Sequence, residues 1–519
     1  MLVHHFLENS AHTFPDKPAV WEKNNWFSFS GIDERANRIA NYLIDNGVRR
    51  GDRVAILFEN SVDYIAAYYG ILKAGAVTVA LNTDTNPQTL IYLLNDAGAK
   101  AVIANGRYTR HLLPALRKTP YLSTAVIYAT RIEAYEEIGH CHTVTLESVY
   151  QNSPADRPQV RCIDIDLASI VYTSGSTGKP KGVTLTHLNI VSNTRSIVQY
   201  LKLSSEDRVM VVLPFYYIYG KSLLNTHFFV GGSVVLDNRF AFPNVILETM
   251  KQTEVTGFSG VPSTFMILLN KSTLRNHRFP ALRYVTQAGG AMAPVVQKEV
   301  AKVFAPAKLF IMYGATEASA RLSYLEPDLL TQKLGSIGKA IPNVDLYVAD
   351  KEGNRLPAGE VGEIVARGSN IMQGYWNDPE ETAKVLRKGL YFTGDLGRED
   401  EDGFIFVVGR SKDIIKAGGE RISAKEIEEK LLEINEVHET AVIGVDDPVL
   451  GEAIKAFIVT RDGAEVDEEY IRTSLRKKLP PFKQPKYIEF RRDLPKNNSG
   501  KIMKAVLKEE EQKKTEQKS

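Results

Sequence analysis

The stretch TSGSTGKPKG, residues 173–182, concentrates hydroxyl, ammonium and glycine groups in a way that suits phosphate binding. Its side-chain donors are Thr173, Ser174, Ser176, Thr177 and Lys179. The backbone amides of a glycine-rich loop can join such donors in a concave anion site. The strand pattern LASIVYT comes directly before the stretch, and open α/β sheets bind ligands beyond the carboxyl ends of their strands. The sequence therefore predicts a polyphosphate-binding loop, with a flexible surface turn as the alternative.

This loop differs from the phosphate loop of P-loop NTPases. That loop requires Ser or Thr directly after Gly-Lys, whereas Pro180 follows Gly178 and Lys179 here. Proline lacks both the hydroxyl that would hold magnesium and a backbone N–H. A phosphotransferase or NTPase is therefore the disfavoured alternative.

Four further stretches carry groups that suit nucleotide chemistry. Tyr313–Ser319 reads YGATEAS, and Tyr391–Gly397 reads YFTGDLG, which is expected to place Asp395 in a glycine-bracketed turn. Gly409–Glu428 reads GRSKDIIKAGGERISAKEIE, and NNSGKIMK places Lys501 near the end of the chain. Each stretch alone also fits an ordinary helix terminus, turn or solvated charge. Their combination is what points to one function.

The elements that must position these stretches alternate between helix and strand. In the N-terminal third, helical spacing is seen in FSGIDERANRIANYLIDNG, SVDYIAAYYGILKAG and YLLNDAGAK, and strand patterns in GDRVAILF, AVTVALN and AVIAN. Such alternation is typical of an α/β fold with mostly parallel sheets. We therefore predict a large N-terminal domain of layered α/β structure, residues 1–409.

The last quarter predicts a small α+β domain, residues 410–519. Its first helix, SAKEIEEKLLEI, opens with Ser423 and has Glu426 three residues later, which is a capping-box pattern. The strand patterns ETAVIGV, EAIKAFIVTRDG and KYIEFRRDLP follow along the chain. The join between the domains is expected near Gly409–Asp413, and the charged tail KEEEQKKTEQKS is expected to be frayed or disordered.

Composition narrows the class of protein further. The chain has 519 residues and a net charge of +2, from 64 basic and 62 acidic residues, which favours neither a nucleic-acid nor a membrane-surface partner. Cys141 and Cys162 form no CxxC pair, so neither a disulfide framework nor a zinc site is expected. The N-terminal MLVHHFLENS lacks the features of a signal peptide, and no apolar run approaches the roughly 18 residues of a membrane span. We expect a soluble, cytoplasmic protein.

The five stretches, in this order, resemble the motifs of the adenylate-forming ANL superfamily. The resemblance extends from about Phe14 to Lys504, and it is greatest to a bacterial AMP-forming acyl-CoA synthetase. The superfamily also includes nonribosomal-peptide adenylation domains and beetle luciferases. The resemblance implies an enzyme that activates a carboxylic acid as its adenylate, releases pyrophosphate, and then transfers the acyl group to a thiol. It implies ATP, Mg²⁺ and coenzyme A as cofactors or co-substrates.

The resemblance also implies a role for the residues of the large domain. The five donors of the loop, from Thr173 to Lys179, would hold the β- and γ-phosphates. Thr316 would donate to the α-phosphate, and Glu317 would carry the magnesium ion, a role that suits a carboxylate. Tyr313 would lie against adenine. Gly289 and Gly290 would pass close to adenine and to the acyl carbonyl.

Four more roles follow from the same resemblance. Asp395 would accept both ribose hydroxyls, and Arg410 would reach the ribose or a phosphate. Lys501 would be the catalytic lysine of adenylation, bridging the carboxylate and the α-phosphate. Lys412 would be the hinge of a mobile C-terminal domain, which would otherwise present Gly418 and Gly419 to the pantetheine thiol.

The substrate is less well defined by the sequence. LPFYYIYGKS, Leu213–Ser222, would line part of the acyl pocket, and Tyr217 stands where relatives commonly carry histidine. Its aromatic residues either favour an apolar or aryl acid or simply fill the core. The stretch lacks the aspartate that holds a substrate ammonium, so an amino acid is not expected.

Alternatives exist for the acyl acceptor and for the class of reaction. Coenzyme A is the expected acceptor, with an acyl carrier protein as the alternative. A nucleotide-binding protein without catalysis is opposed by the presence of Lys501 and Glu317, and no residue singles out a luciferase.

Overall fold

The computed structural model of the chain describes residues 1–129, 132, 135, 138, 140–173, 179–417, 419–447, 450–461, 463–464, 466–496 and 502–516. The strands are β1 (Pro18–Glu22), β2 (Asn25–Ser28), β3 (Arg53–Leu57), β4 (Val77–Ala80), β5 (Ala99–Asn105), β6 (Thr124–Tyr128), β7 (His142–Thr145), β8 (Leu167–Thr173), β9 (Lys181–Thr186), β10 (Arg208–Val211), β11 (Ser233–Leu236), β12 (Gly257–Gly260), β13 (Tyr284–Gln287), β14 (Lys308–Tyr313), β15 (Ser323–Leu325), β16 (Lys339–Ala340), β17 (Val344–Ala349), β18 (Val361–Gly368), β19 (Gly374–Tyr375), β20 (Leu386–Arg387), β21 (Leu390–Glu399), β22 (Ile405–Arg410), β23 (Ile414–Ala417), β24 (Glu420–Ser423), β25 (Val437–Asp447), β26 (Gly451–Thr460) and β27 (Tyr487–Phe490). The α-helices are α1 (His5–Thr13), α2 (Phe29–Asp45), α3 (Val62–Lys73), α4 (Pro87–Ala97), α5 (Thr109–Leu116), α6 (Leu146–Asn152), α7 (His187–Leu201), α8 (Ile218–Val230), α9 (Pro243–Gln252), α10 (Pro262–Lys271), α11 (Pro294–Phe304), α12 (Pro379–Val385), α13 (Ala424–Leu432), α14 (Glu468–Arg476) and α15 (Lys504–Glu516).

Two large sheets form the N-terminal part of the fold. The first has the order β19-β9-β8-β4-β3-β5-β6-β7 and the second β16-β15-β14-β13-β12-β10-β11-β1-β2. Pairing is parallel from β8 to β7 in the first sheet and from β1 to β14 in the second, and antiparallel toward the remaining edges. These sheets confirm the predicted α/β class with mostly parallel strands.

The main buried cluster lies between these two sheets. Val171 of β8 and Val209 of β10 belong to the same cluster as Tyr68 of α3 and Leu224 of α8. Helix α3 is buried at every position except Asp63, which is the burial expected of a helix that is apolar on all sides. Helices α3 and α8 therefore pack in the layer that both sheets share.

The last part of the chain forms a smaller α+β unit. Its sheet has the order β24-β23-β26-β25, with β27 pairing to β26. The Ser423 half of the predicted capping box is confirmed, because the Ser423 side chain accepts a hydrogen bond from the backbone N–H of Glu426. The Glu426 carboxylate instead pairs with Lys483 Nζ at 2.8 Å. The apolar face of this helix, which includes Ile427 and Leu431, lies in the core of the unit.

The predicted join falls between two sheets. A five-stranded sheet of β17, β18, β20, β21 and β22 ends at Arg410, and the C-terminal sheet begins at Ile414. Ser411–Asp413 forms a 3₁₀ turn between them. The domain bounds 1–409 and 410–519 stay predictions.

Two local expectations are wrong. Asp395 does not lie in a turn but within β21, beside Gly394 at a φ of 75° and just before a register shift in the pairing of β21 with β22. The charged tail is not frayed as far as Glu516, because it forms α15. Ion pairs of Lys455 with Glu511 and of Arg491 with Glu510, each at 2.7 Å, hold this helix against the domain.

Within the described part of the chain, none of the helices combines the length and the apolar character that crossing a bilayer would require.

Candidate active site

The phosphate-loop prediction falls at the turn between two neighbouring strands. Strand β8 ends at Thr173 and β9 begins at Lys181, and the two pair antiparallel, with Thr173 opposite Lys181. Ser174, Ser176 and Thr177 lie outside the described residues. Lys179 is exposed, whereas Lys181 forms an ion pair with Glu381.

The Thr316–Glu317 pair lies in a tight turn that the rest of the chain fixes. The 3₁₀ turn Thr316–Ala318 follows β14 directly. Gly314 allows this reversal, because a Cβ there would come within 1.9 Å of the Ala320 carbonyl oxygen. The side-chain amide of Asn370 donates to the Ala318 carbonyl oxygen at 3.0 Å. These contacts hold Thr316 and Glu317 at the carboxyl end of a central strand.

Tyr375 connects Glu317 to the phosphate-loop strands. Its hydroxyl donates to Glu317 Oε1 at 2.8 Å, and its ring lies 5.1 Å from Lys181 Nζ. Tyr375 belongs to β19, which pairs with β9 just after the loop. Burial and the charge of Glu317 raise the pKa of the Tyr375 hydroxyl, so it remains a proton donor at neutral pH. The predicted magnesium carboxylate is thereby linked to the strand that follows the predicted phosphate loop.

Tyr313, Asp395 and Arg410 form a polar cluster, although they are far apart in the sequence. The Tyr313 hydroxyl donates to Asp395 Oδ2 at 2.7 Å, and Arg410 Nε lies 3.1 Å from Asp395 Oδ1. Burial and the Asp395 carboxylate raise the pKa of the Tyr313 hydroxyl well above its usual range. A carboxylate has about four lone-pair sites, so Asp395 can accept further hydrogen bonds while it keeps both partners.

Gly289 and Gly290 follow β13 in a second turn at the carboxyl edge of the same sheet. Gly289 has a φ of 81°, which favours glycine. The side-chain amide of Gln287 donates to the Gly290 carbonyl oxygen at 2.7 Å and holds the turn. The turn therefore presents backbone close to the end of β13, and its predicted approach to adenine and the acyl carbonyl stays a prediction.

Tyr217 lies at the entrance to a buried helix. It is the N-cap residue of α8 and is half-buried, with its ring 4.7 Å from that of Tyr216. The next residues enter the interior: Tyr219 donates to the Thr286 carbonyl oxygen at 3.1 Å, and Lys221 is wholly buried. The predicted acyl-pocket stretch thus leads from a partly exposed residue into the layer between the sheets.

Two lysines of the C-terminal unit, Lys501 and Lys412, are predicted to act in the reaction, and both roles stay predictions. Lys501 lies outside the described residues. Lys412 is exposed in the 3₁₀ turn between β22 and β23, and its hinge role stays a prediction. Three residues beyond Lys501, Lys504 Nζ lies 2.7 Å from Glu428, whose carboxylate also accepts from the Val442 backbone N–H. This contact anchors the start of α15 to α13 and β25.

Sequence reasoning missed two side chains, Tyr375 and Lys221. No local pattern marks Tyr375, because its contact with Glu317 spans 58 residues of sequence. Lys221 did carry a signal, since it is the one lysine in an otherwise largely apolar helix, IYGKSLLNTHFFV. A lone lysine on a helix that reads as buried requires an internal partner or a ligand.

Comparison with known proteins agrees with this geometry. Residues 7–376 match the family described as AMP-binding enzyme, and residues 426–501 match the AMP-binding enzyme C-terminal domain. A long-chain-fatty-acid–CoA ligase of Bacillus subtilis (strain 168) is 34% identical over 531 residues, covering 97% of this chain and 94% of that protein. A feruloyl-CoA synthase of an Amycolatopsis species is 34% identical over 501 residues, covering 96% of each chain.

A solved structure extends the similarity to the whole fold. The crystal structure of an anthranilate CoA ligase in complex with anthranoyl-AMP matches with a TM-score of 0.90 and 26% identity, over 98% of this chain and 97% of that one. Each of these three proteins is named for a reaction that joins a carboxylic acid to coenzyme A. From the matched domains and this full-length similarity, the chain belongs to the family of AMP-binding, adenylate-forming enzymes.

Proposed function

We propose that the protein joins a carboxylic acid to coenzyme A in two steps at one site. In the first step a carboxylate oxygen of the acid bonds to the α-phosphorus of ATP, and the bond to the β-phosphate breaks, releasing pyrophosphate. In the second step the thiol sulfur of coenzyme A bonds to the acyl carbon, the thiol loses its proton, and the bond to AMP breaks. The products are an acyl-CoA, AMP and pyrophosphate.

One observation carries this proposal. Glu317 is linked through Tyr375 to the strand that follows the glycine-rich loop. Tyr313, a few residues before Glu317, is hydrogen-bonded to Asp395. Glu317 is therefore linked to the strand that follows the predicted polyphosphate loop, and Asp395 is bonded to the strand that precedes Glu317, in a chain that is similar over nearly its whole length to acid–CoA ligases.

Each group has a defined part in the proposed first step. The loop from Thr173 to Lys179 binds the β- and γ-phosphates, and Thr316 donates to the α-phosphate. Asp395 and Arg410 orient the ribose, and Tyr313 bounds the adenine site beside them. Lys501 brings its ammonium between the carboxylate and the α-phosphate, which lowers their repulsion as they approach.

Magnesium is part of the proposal, and the chemistry of Glu317 fits it. Oxygen ligands from carboxylates suit this hard cation, which bridges phosphate oxygens. One Glu317 oxygen accepts from the neutral Tyr375 hydroxyl, and among the described residues no ion pair neutralises the carboxylate. Bound magnesium would offset the negative charge of the phosphates, with Glu317 as its protein ligand.

The proposed substrate is a fatty or aryl carboxylic acid, and the proposed acceptor is coenzyme A. The relatives described above are named for fatty-acid, feruloyl and anthranilate CoA ligation, so a carrier-protein acceptor is not favoured. Cys141 and Cys162 do not offer an internal thiol, because burial raises the pKa of Cys141 to about 11 and also raises that of Cys162. The proposal includes a cytoplasmic location.

The C-terminal domain is proposed to act in both steps by rotating about Lys412. One orientation brings Lys501 to ATP, and the other presents Gly418 and Gly419 to the incoming pantetheine. Lys412 suits this role because it is exposed between two sheets, in a turn where changed backbone dihedral angles would disturb no buried contact of its own side chain.

The test is product analysis with ATP, magnesium and a panel of fatty and benzoate-type acids, with and without coenzyme A. We expect AMP and pyrophosphate in equal amounts, with an acyl-CoA formed only when coenzyme A is present. Lys501→Ala is expected to lower the rate of adenylation by about 100-fold or more, because it removes charge stabilisation from the transition state.

Lys513→Ala is the matched control, since Lys513 is an exposed lysine of the same C-terminal segment. It should keep the wild-type rate. ADP as the nucleotide product, or full activity of Lys501→Ala, would contradict the proposed function. Acyl transfer to a carrier protein but not to coenzyme A would contradict the proposed acceptor.

A further inference from the structure

The first turns of α8 lie between the two large sheets. Tyr219 reaches the second sheet, where its hydroxyl lies 2.9 Å from Thr286 Oγ1 near the end of β13. Ligands of open α/β sheets bind at the carboxyl ends of the strands, so Tyr219 lies near the edge where a substrate is expected. Lys221 reaches the first sheet farther from that edge, where its Nζ lies 3.4 Å from Ser169 Oγ in the first half of β8.

Lys221 also faces the same side of β8 as the start of the phosphate loop. Ser169, Val171 and Thr173 alternate with residues of the opposite face, so their side chains share one face of the strand. Val171 belongs to the cluster between the sheets, which identifies that face. Four residues of strand separate Ser169 from Thr173 by about 13 Å. The Lys221 amine thus lies behind the phosphate loop, along the direction in which an acyl group would extend inward.

The Lys221 amine is buried without a carboxylate partner. Its residue is 0% exposed, and its recorded contacts are the Ser169 hydroxyl and the Tyr68 ring, whose centroid is 5.2 Å from Nζ. Among the described residues no acidic group pairs with it. Lys73, the other buried lysine of this region, differs, because its Nζ lies 2.5 Å from Asp33 and 2.6 Å from Asn37. An ammonium has three donors, and Lys221 satisfies them poorly.

Ser169 has a second partner, because its Oγ accepts a hydrogen bond from Thr78 Oγ1 at 3.0 Å. Two other side-chain hydrogen bonds near Lys221 are long. The Asn225 amide donates to the Tyr68 hydroxyl at 3.4 Å, and the Tyr69 hydroxyl donates to Asn225 Oδ1 at 3.4 Å. Each distance exceeds the usual 2.7–3.2 Å range of protein hydrogen bonds. Burial alone lowers the pKa of Lys221 to about 7, which agrees with the lack of a neighbouring negative charge. A buried polar group normally has good partners, so this cluster is suited to a polar group that enters from outside.

We propose that Lys221 binds a second carboxylate on the acid substrate, so that the preferred substrates are dicarboxylic acids with an aliphatic or aryl skeleton. This inference rests on the proposed function and deepens it. One carboxylate of the substrate meets ATP, while the other pairs with the Lys221 ammonium between the two large sheets. Ser169 and Asn225 provide hydrogen bonds close to that pair. The apolar walls around it exclude water and strengthen the attraction between the two charges.

The test compares acids that differ only in the far carboxylate. The pairs are hexanoate with adipate, octanoate with suberate, decanoate with sebacate, and 4-methylbenzoate with terephthalate. Pyrophosphate release gives kcat/KM for each acid. In the best pair we expect the wild-type enzyme to favour the diacid by about 100-fold, since a site built around a polar group rejects analogues that lack it. Lys221→Met, which keeps the length of the side chain, is expected to reverse that preference.

Three variants make the test decisive. Lys251→Met is the matched control, because Lys251 is an exposed lysine in α9, and it should leave the diacid preference unchanged. Lys221→Gln keeps a neutral donor and should reduce the preference without reversing it. It also replaces the methionine variant if that variant does not fold, as judged by thermal melting.

The outcomes distinguish a wrong role for Lys221 from a wrong proposed function. A wild-type enzyme that forms AMP from monoacids and favours them in every pair would overturn the role of Lys221 and leave the proposed function intact. An unchanged diacid preference in Lys221→Met would do the same. Failure to form AMP and pyrophosphate from any acid would instead overturn the proposed function.

Discussion

Two buried polar clusters of the large domain are bonded in opposite ways. Around Asp395, the Tyr313 hydroxyl donates at 2.7 Å and the Arg410 guanidinium lies at 3.1 Å, so the carboxylate is held on both sides. Around Lys221, the hydrogen bonds donated by Lys221, Asn225 and Tyr69 are each 3.4 Å long. Both carboxylate oxygens of Asp395 have close partners within the protein, whereas the Lys221 amine has only a long hydrogen bond.

This difference matches the two kinds of ligand that the proposed reaction requires. A preorganised cluster suits a group that is the same in every turnover, such as the ribose of ATP, because no rearrangement is needed on binding. An incompletely bonded cluster suits the variable part of the reaction, the acid, since it gains its best partner only from the correct substrate. The comparison leads to predictions that differ in the size of the expected effect.

The largest effect is expected from Asp395→Asn. The change removes the charge that pairs with Arg410 and weakens the proposed contact with ribose, so kcat/KM for ATP should fall about 100-fold or more. The melting temperature should fall only slightly, because the Arg410 side chain of this ion pair is 46% exposed. Steady-state kinetics and thermal melting measure both effects. Asp345→Asn is the control, since its pair with Arg367 is exposed and 3.6 Å long, and a comparable loss there would remove the distinction.

A smaller effect is expected from Glu317→Gln. Loss of the proposed magnesium ligand should raise the magnesium concentration needed for half-maximal activity by about 10- to 100-fold, as is typical when a metal site loses a supporting group. A magnesium titration of the pyrophosphate-release rate measures the shift, and excess EDTA should abolish wild-type activity. Glu326→Gln, a change at an exposed position nearby, should behave as the wild type. An unshifted titration curve for Glu317→Gln would assign the magnesium to other ligands.

For Lys221→Met we expect an effect on the melting temperature opposite to that of Asp395→Asn. Replacing a buried amine that lacks a carboxylate by an apolar side chain should leave the melting temperature unchanged or raise it by a few degrees. The size of this stabilisation depends on pH. Burial lowers the pKa of Lys221 from 10.5 to about 7, so between these pH values the unfolded chain binds more protons than the folded one. Wild-type stability should therefore rise with pH across that window.

The gain in stability of Lys221→Met over the wild type should depend on pH, because it arises from the protonation of Lys221. It should be full below about pH 7 and disappear as the pH approaches 10.5. Melting temperatures of the two proteins at several pH values between 7 and 10 measure it. A methionine variant that is less stable than the wild type at pH 7 would mean that Lys221 is a structural element with adequate partners.

The smallest effect concerns the cysteines. Because the pKa values of both thiols are raised by burial, little thiolate forms at neutral pH, and the transferred acyl group is proposed to leave on the thiol of coenzyme A. Treatment with iodoacetamide at pH 7, or the change Cys162→Ser, should alter the rate of acyl-CoA formation less than twofold. Loss of thioester formation with normal pyrophosphate release would indicate an acyl-enzyme on a cysteine.

The sequence predicts the elements of this fold well where the signal is local. LASIVYT forms β8 from Leu167 to Thr173, and the Ser423 cap begins α13, because alternation and capping depend on neighbouring residues. The predictions that are wrong depend on distant parts of the chain. Asp395 lies in a strand because β21 pairs with both β18 and β22, which outweighs the turn preference of its glycines. The charged tail is helical because Glu511 finds Lys455 on another element.

The same distinction applies to the site. Glycine-rich and acidic motifs identify Thr173, Glu317 and Asp395 as candidates, because each belongs to a short, recognisable stretch. The bond between Tyr375 and Glu317 and the approach of Lys221 to Ser169 join residues that are 58 and 52 positions apart. Pairings of this kind are decided by how the two sheets enclose α8 and by the pairing of β19 with β9. Such contacts between distant residues can be identified only from the three-dimensional structure.

The most direct test of the central claim follows one oxygen atom. In the proposed first step a carboxylate oxygen of the acid bonds to the α-phosphorus, and in the second step that oxygen leaves with AMP. An acid labelled with oxygen-18 in its carboxylate, incubated with the enzyme, ATP, magnesium and coenzyme A, should therefore yield AMP that carries a single labelled oxygen, as measured by mass spectrometry. Unlabelled AMP, or ADP in its place, would contradict the proposed acyl-adenylate.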